Sequence, residues 1–526
     1  MGDINRNNTN TTLFHWQNLK VKLLVQSVVV GGFSGLLVAL YRISLEKAEG
    51  FRTYILSLSF PKYILIPSWF LILLLCAYIV GLSIKNEPLI SGSGIPQIEG
   101  VLLRKIQMNW LSIIPRKFIA GVISIAGGLS LGKAGPSIQF GAAIGQGVSK
   151  VFKRANIEEK YLITSGAAAG LAAVFNAPLA GVMFVIEEMH KHFSPLILLP
   201  ALCASLTADL ISKSFFSLKP AFNFKNISSL PPKSYDYIVL LGIIVGTFGA
   251  FYNYSLLKTQ SIYGKQKWLS IKFRPMIPFL ISGVLALSLS QVLGGGQVLI
   301  DMLIDGSYTI KILLIVLCVK FIFSMLSYGS GVPGGIFFPV LVLGALTGAF
   351  YGKILVHFAG FDNQYIINFI ILAMAGYFTA VVRAPITSII LIAEITGSFS
   401  SMLPLGIVSL VAYIVADLLK SEPICQSLLY RLLKNKGTYE VPEYSKNKVI
   451  LEIPIWLDSE IDGKAIKEIS LPNDCLLVCL QRGSKELIPH GNTVVQGGDY
   501  LSVLVDESKA AFTKEQLIEI SSKPRL

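Results

Sequence analysis

Gly166–His190 reads GAAAGLAAVFNAPLAGVMFVIEEMH, an apolar run cut by Asn176-Ala177-Pro178 and closed by Glu187 and Glu188. Proline lacks an amide hydrogen and its ring displaces the turn before it, so the run predicts two helical pieces meeting at Ala177-Pro178. A second stretch, Ala375–Pro385 or AGYFTAVVRAP, breaks another apolar run in the same way. Glu187 follows Pro178 by nine residues, and Glu394 follows Pro385 by nine. The shared Ala-Pro and the equal spacing predict a duplicated architecture.

The surroundings of both stretches belong in hydrocarbon. Of 526 residues, 53% are hydrophobic and only 14% charged, with a mean hydropathy of +0.64, which excludes an ordinary soluble globular protein. Runs able to cross about 30 Å of lipid are expected at Leu23–Arg42, Ile64–Leu82, Tyr237–Leu257, Ile277–Leu293, Ile310–Leu326 and Met402–Leu419. Shorter pieces cut by Gly and Pro lie between them, such as Leu111–Leu131, Ile138–Val148, Leu162–Phe175 and Ile336–Phe350. These read as discontinuous helices, tolerated in a membrane where they line a protein interior. The formal charge of +14 gathers at Lys150–Arg154, Lys258–Arg274 and Arg431–Lys436, the positive-inside pattern of a multi-pass protein of the cell membrane rather than a nucleic-acid surface.

Three glycine loops carry the chemistry. Ser91-Gly92-Ser93-Gly94-Ile95-Pro96, Gly132-Lys133-Ala134-Gly135-Pro136 and Gly334-Gly335-Ile336-Phe337-Phe338-Pro339 each open an apolar segment, the last two at corresponding places in the two halves. Helix N-termini with exposed N–H groups favour an anion, glycine lets the backbone approach it, and the loops contain no carboxylate. A small desolvated anion fits; a hard cation would need carboxylates. Gly127 to Lys133 also approximates a phosphate loop, but Ala134 stands where such a loop needs Ser or Thr for Mg²⁺, and no acid-ended apolar strand accompanies it. Neither an ATPase nor any other enzyme is expected. Cys76, Cys203, Cys318, Cys425, Cys475 and Cys479 are scattered, with no C-x-x-C and no adjacent His, so buried thiols are expected, without disulfides, metal or cofactor. His190 and His192, near Pro195, read as a solvated helix end, and Arg383, Glu394 and Lys320 as packing or interhelical partners.

These loops and Gly166–His190, in this order, resemble the signature segments of the CLC chloride channel and transporter family over roughly Val21–Leu432. The resemblance implies an all-α polytopic fold of two inverted repeats with broken and re-entrant helices, split near 220–235, and a homodimer with one pore per subunit. It implies that Ser93 donates its hydroxyl to a central chloride and that the amides of Ile336 and Phe337 bind the same ion. Ser at 93 matches the chloride-selecting form; nitrate exchangers tend to carry Pro, and fluoride exporters Met. Gly92, Gly94, Ile95, Pro96, Gly132, Lys133, Gly135, Pro136, Gly335 and Pro339 fall on the signature positions.

Two positions depart from the exchanger pattern. The external gate is usually Glu and here is Ala134, which can neither gate electrostatically nor carry a proton; the Tyr lining the inner entrance is here Cys425, smaller and a weaker donor. The internal proton-path glutamate matches Glu188, whose other reading is a helix-end acid satisfied by its neighbours. The expected function is therefore uncoupled, channel-like conduction of chloride and other small anions. The alternative is a chloride/proton antiporter whose gating Glu has been replaced by Ala134.

Residues 1–20 form a polar head expected to be mobile and cytoplasmic. Hydrophobicity stops near Lys420, and 440–526 is expected to be a small α/β domain. Its strands are expected at Val449–Ile455, Cys475–Gln481 and Tyr500–Val505, with a short helix at Gly463–Ile469 and a closing helix after Ala511. This tail resembles the RCK-C, or TrkA-C, module of potassium-conductance regulators at Gly463-Lys464, Ile488-Pro489 and Gly498-Asp499. The resemblance implies a cytoplasmic dimerisation domain, with a small-molecule regulator such as a cyclic dinucleotide in some members. A potassium transporter is not expected, because no carbonyl-filter sequence is present.

Overall fold

The computed structural model describes residues 3–57, 62–216, 222, 230–231, 234–266, 269–304, 306, 308–399, 401–435, 448–472, 475–483, 485–506 and 510–523. The expected division between the halves, near 220–235, falls mostly outside these residues, as does the stretch from 436 to 447. Two compact units result, Met1–Asn435 and Lys436–Leu526.

Broken apolar runs give many helices in the first unit. The first half holds α1 Asp3–Ser57, α2 Lys62–Asn86, α3 Ile95–Leu102, α4 Trp110–Ala126, α5 Ala134–Val151, α6 Asn156–Phe175, α7 Pro178–Phe184 and α8 Pro195–Phe215. The second holds α9 Tyr235–Lys265, α10 Met276–Ser288, α11 Gln297–Ile304, α12 Ile310–Gly329, α13 Phe337–Ala359, α14 Ile366–Val382, α15 Pro385–Thr396 and α16 Met402–Leu418, followed by α17 Ile424–Asn435. Helix α1 runs unbroken from the polar head into the first apolar run. Among the described residues, seven helices are long and apolar enough to cross a membrane, including α13 and α14. The most apolar windows of these two are 78% and 89% buried inside the protein, so they form its centre rather than its lipid face. Neither was expected as a full span: Ile336–Phe350 reads as a fragment, and α14 carries Asn368, Gly376 and Thr379. Conversely, the run expected to Leu293 ends as a helix at Ser288, where the chain turns through Ser290–Val292.

The duplication is visible in the packing. Adding eight to a helix number gives its counterpart: α5 packs on α6 and α13 on α14, α1 packs on α6 and α8, and α9 on α14 and α16. Helices α7 and α15 pack on each other, as do α2 and α10. Close approach is set by small residues at four-residue spacing. Gly141 and Gly145 press on the α6 backbone at Gly166 and Leu162, and Gly344 and Gly348 press on the α14 backbone at Ala373 and Phe369.

The repeat's Pro-to-Glu spacing has a structural purpose. Glu187 accepts hydrogen bonds from the first-turn amides of α15, Ile386 N (3.1 Å) and Thr387 N (2.7 Å). Glu394 accepts from the first-turn amides of α7, Leu179 N (3.1 Å) and Ala180 N (2.8 Å). Each half's acid thus caps the other half's helix just after its Pro, so Glu394 is an interhelical partner that acts as a cap. Asn176 and Arg383, at the equivalent positions before the two Ala-Pro steps, both take left-handed conformations, at φ 55° and 70°. Substituting either Glu by Ala is expected to cost about 1 kcal/mol, as lost caps do, and to lower the unfolding midpoint in detergent. An unchanged midpoint in both variants would contradict the exchange of caps.

The second unit is a four-stranded antiparallel sheet with order β1-β4-β2-β3, built from β1 Lys448–Pro454, β2 Cys475–Arg482, β3 Lys485–Leu487 and β4 Tyr500–Asp506. Helix α18, Ala510–Ser522, covers β1 and β4 over a core including Ile453, Ile461, Leu480, Val495, Val503 and Leu517. The short helix expected at Gly463–Ile469 shrinks to a 3₁₀ turn at Ile466–Glu468. The backbone there pairs sideways instead: Gly463 N donates to Val495 O (2.9 Å), Ile466 N to Thr493 O (3.0 Å), and Ala465 bridges Val494. Strand β3 is too short for an alternation signal.

Asp499, 2% exposed, accepts from Arg482 Nε (2.9 Å), Arg482 Nη2 (2.8 Å) and Gln496 N (2.8 Å). Burial works against its charge, but the Arg482 fork and the Gln496 amide prevail, and its pKa falls below the usual carboxylate value. A lowered folded-state pKa stabilises the sheet above the unfolded value, and that contribution is lost as pH falls through the folded value. Hydrogen-exchange protection of Tyr500–Asp506 in the full chain is expected to drop below about pH 4, and Asp499→Asn to flatten that dependence.

Candidate functional site

The three glycine loops of the first unit meet. Gly132 N donates to Gly335 O and Gly335 N to Gly132 O, each at 2.7 Å, as one antiparallel bridge between equivalent residues of the two halves. Gly334 N donates to Gly92 O (3.1 Å) and Ser91 Oγ to Gly331 O (2.8 Å), tying the first loop to the same point. The approach requires glycine. A side-chain carbon on Gly135 would stand 2.9 Å from both Ser93 Cβ and Gly335 Cα.

The N-termini of α3, α5 and α13 start from these loops. Ile336, at 2% exposed, and Phe337, at 1%, sit where α13 begins, and first-turn N–H groups have no intrahelical acceptor. Ser93 is 2% exposed; its N–H donates to Tyr328 Oη (3.4 Å) and its Oγ accepts from Ile95 N (3.4 Å). Gly92 and Gly94, at φ 64° and 97°, give that loop its shape. Pro96, Pro136 and Pro339 fall within the first turns of α3, α5 and α13, where a missing N–H costs no intrahelical bond. Converging helix starts with few acids favour a negative ligand.

Ala134, fully buried, is the first residue of α5. Beside it, Lys133 Nζ donates to Gln297 Oε1 (3.4 Å) and lies 5.6 Å from the Phe338 ring centre. Lys133 faces a cavity of about 270 Å³ also lined by Arg42, Glu46, Glu49 and Arg52. Glu188 lies in a π-turn, Val185–His190, that follows α7, and Cys425 in the first turn of α17; both are buried. Their polar atoms and those of Glu99 on α3 come within 4.8 Å of one another.

Sequence reasoning misses Lys117, Tyr328, Glu99 and the Gly294-Gly295-Gly296 loop here, and reads Lys320 only as a packing or interhelical partner. Lys117 Nζ, fully buried in α4, donates to Gly92 O (3.0 Å), and Lys320 Nζ, fully buried in α12, donates to Val292 O (2.8 Å) and Gly294 O (2.9 Å). Each lysine lies fifteen residues before its half's bridge glycine, Gly132 or Gly335, a signal present in the sequence. Gly294 and Gly296, at φ 65° and 94°, repeat the geometry of Gly92 and Gly94 and open α11, the counterpart of α3. That fourth loop has no Pro or hydroxyl to mark it. Tyr328 and Glu99 are likewise recognisable only by where the fold puts them. Of the thiols, Cys425 is fully buried and Cys318 is exposed on α12, so the expectation of uniformly buried cysteines is corrected. His190 Nε2 lies 2.8 Å from Thr164 Oγ1 on α6, and Arg383 pairs with Asp417 at 2.9 Å.

Residues 76–417 match the voltage gated chloride channel family, and residues 450–516 match the TrkA-C domain. The chain is 34% identical over 442 residues to the H⁺/Cl⁻ exchange transporter ClcA of Vibrio cholerae, covering 81% of this chain and 93% of the relative. It is 32% identical over 455 residues to the ClcA exchanger of Yersinia pestis, covering 84% and 93%. Among solved structures, a slow cyanobacterial Cl⁻/H⁺ antiporter superposes with a TM-score of 0.73 at 31% identity, over 79% of this chain and 99% of the other. A CLC-type fluoride/proton antiporter shares the fold, with a TM-score of 0.65 at 22% identity, over 75% and 95%.

Proposed function

This chain belongs to the voltage-gated chloride channel family and is a chloride transporter rather than an enzyme, and from that premise we propose that it passes chloride through the loop crossing without obligatory proton counter-transport. The Ser93 hydroxyl and the amides of Ile336 and Phe337 hold the dehydrated ion. Lys133 adds positive potential on the Ala134 side, and Cys425 lines the inner end. The carrying observation is Ala134: the first residue of α5, where the family's exchangers hold a carboxylate, bears only a methyl group, with no group to trade a proton for an anion. The second reading, an exchanger like the named relatives, is favoured by Glu188, which keeps a buried carboxyl in the family's internal proton position. The working unit is a homodimer with the TrkA-C domain in the cytoplasm, where it dimerises or takes a small regulator.

Chloride efflux from proteoliposomes, with potassium clamped by an ionophore, tests the reading. Efflux that depends on the anion supplied is expected, and flux following potassium instead would contradict it.

A further inference from the structure

Glu99 from α3, Glu188 from the π-turn and Cys425 from α17 converge although 89 and 237 residues separate them along the chain. One carboxylate oxygen of each acid and the Cys425 sulfur all lie within 4.8 Å of one another, and no other group of three such side chains does so among the described residues. Glu99 is 6% exposed and Glu188 4%, yet Oε1 of each is without a hydrogen-bond partner. Glu188 also takes a hydrogen bond from Cys425, and two neighbouring buried carboxyls that each keep an unpartnered oxygen are costly as carboxylates unless a shared proton or a cation neutralises them.

The sulfur indicates what that is. Calcium and magnesium take all-oxygen shells, whereas a thiolate with two carboxylates is a zinc-type donor set, completed by one water. The 4.8 Å limit exceeds by about 1.5 Å the roughly 3.3–3.5 Å spacing of oxygen and sulfur ligands around tetrahedral zinc, a gap that side-chain rotation closes. A cavity of about 480 Å³, lined by Glu99, Glu188, Lys160, Lys191 and Gln426, leads to the cluster. Lys191 lines the same cavity as both acids, and three anionic ligands, one divalent ion and one lysine balance to neutrality.

We propose that Glu99, Glu188 and Cys425 form a binding site for one divalent cation of the zinc class, and that the bound ion closes the inner end of the anion path. The closure rests on the reading of Cys425 as that inner end; the binding does not.

Cadmium titrated into the purified full-length protein should give one equivalent per chain with an ultraviolet cadmium–thiolate band. Cys425→Ser should remove the band. Glu99→Gln and Glu188→Gln, which keep the side-chain shapes, should each weaken binding by at least the roughly tenfold that loss of an outer-shell partner costs. An undiminished band in Cys425→Ser, or parental affinity in both Gln variants, overturns the site. Zinc-edge absorption on the unaltered protein needs no variant. One sulfur at about 2.3 Å with oxygens at about 2.0 Å supports the site, and a shell with no sulfur or with several sulfurs overturns it. In proteoliposomes, cadmium should block anion efflux; binding without block would refute the closure and leave the site standing.

Discussion

Ala134→Glu is expected to slow chloride flux at neutral pH by about tenfold or more, equivalent to roughly 1.4 kcal/mol, and to make flux pH-dependent. Ala134 opens α5 at zero exposure, and the residue after it lies against Ser93 and Gly335. A carboxylate placed there is an anion tethered beside the first-turn amides of the proposed ion path, at an effective concentration of about millimolar or higher. Helix-start attraction for such a charge, about 0.3–2 kcal/mol, matches the expected block. As pH falls toward the carboxylate range the side chain neutralises, its claim on the amides weakens, and flux should recover. Flux from the variant equal to the parent's at every pH would show that position 134 does not face the path. Proton movement appearing with the Glu would show that Glu188 still serves a proton route.

Gly335→Ala is the second large effect, and its cause is steric. A Cβ on Gly335 would stand 2.6 Å from Gly135 N and 3.1 Å from Gly132 O, both backbone atoms. Neither can move aside without opening the paired 2.7 Å hydrogen bonds between Gly132 and Gly335. Overpacking of this kind costs about 1–3 kcal/mol, and each broken bond adds about 1 kcal/mol. Transport should be lost and the unfolding midpoint in detergent lowered. Gly50→Ala is the control, since a Cβ there meets nothing within 4 Å, and replacing a helical Gly by Ala is favourable. Equal behaviour of the two variants would show that the paired glycines do not hold the loop crossing together.

The parts of the fold legible in the sequence are those written in local chemistry. Pro178 and Pro385 break helices wherever they stand, and glycine loops before apolar runs announce helix starts. Their counterparts are legible only through tertiary structure. The matched positions of Glu187 and Glu394 are visible as a spacing, but that each acid reaches across to cap the other half's helix follows from the pseudo-twofold packing. Gly294-Gly295-Gly296 carries no Pro and no hydroxyl, and only its backbone angles reveal it as the partner of Gly92-Ser93-Gly94. In the TrkA-C unit, the alternation of Val449, Leu451 and Ile453 marks β1, while the Gly463 segment reads as helix and is taken instead by bonds to Thr493 and Val495.

Uncoupled transport, as proposed, means that no group at position 134 trades a proton for an anion. The reversal potential of the unaltered full-length protein in a planar bilayer, under a fixed chloride gradient with a pH gradient superimposed, measures this directly. A reversal potential at the chloride equilibrium value is expected, unmoved when the pH gradient is imposed or inverted. A reversal potential that shifts with the pH gradient would contradict it and establish the chain as an exchanger.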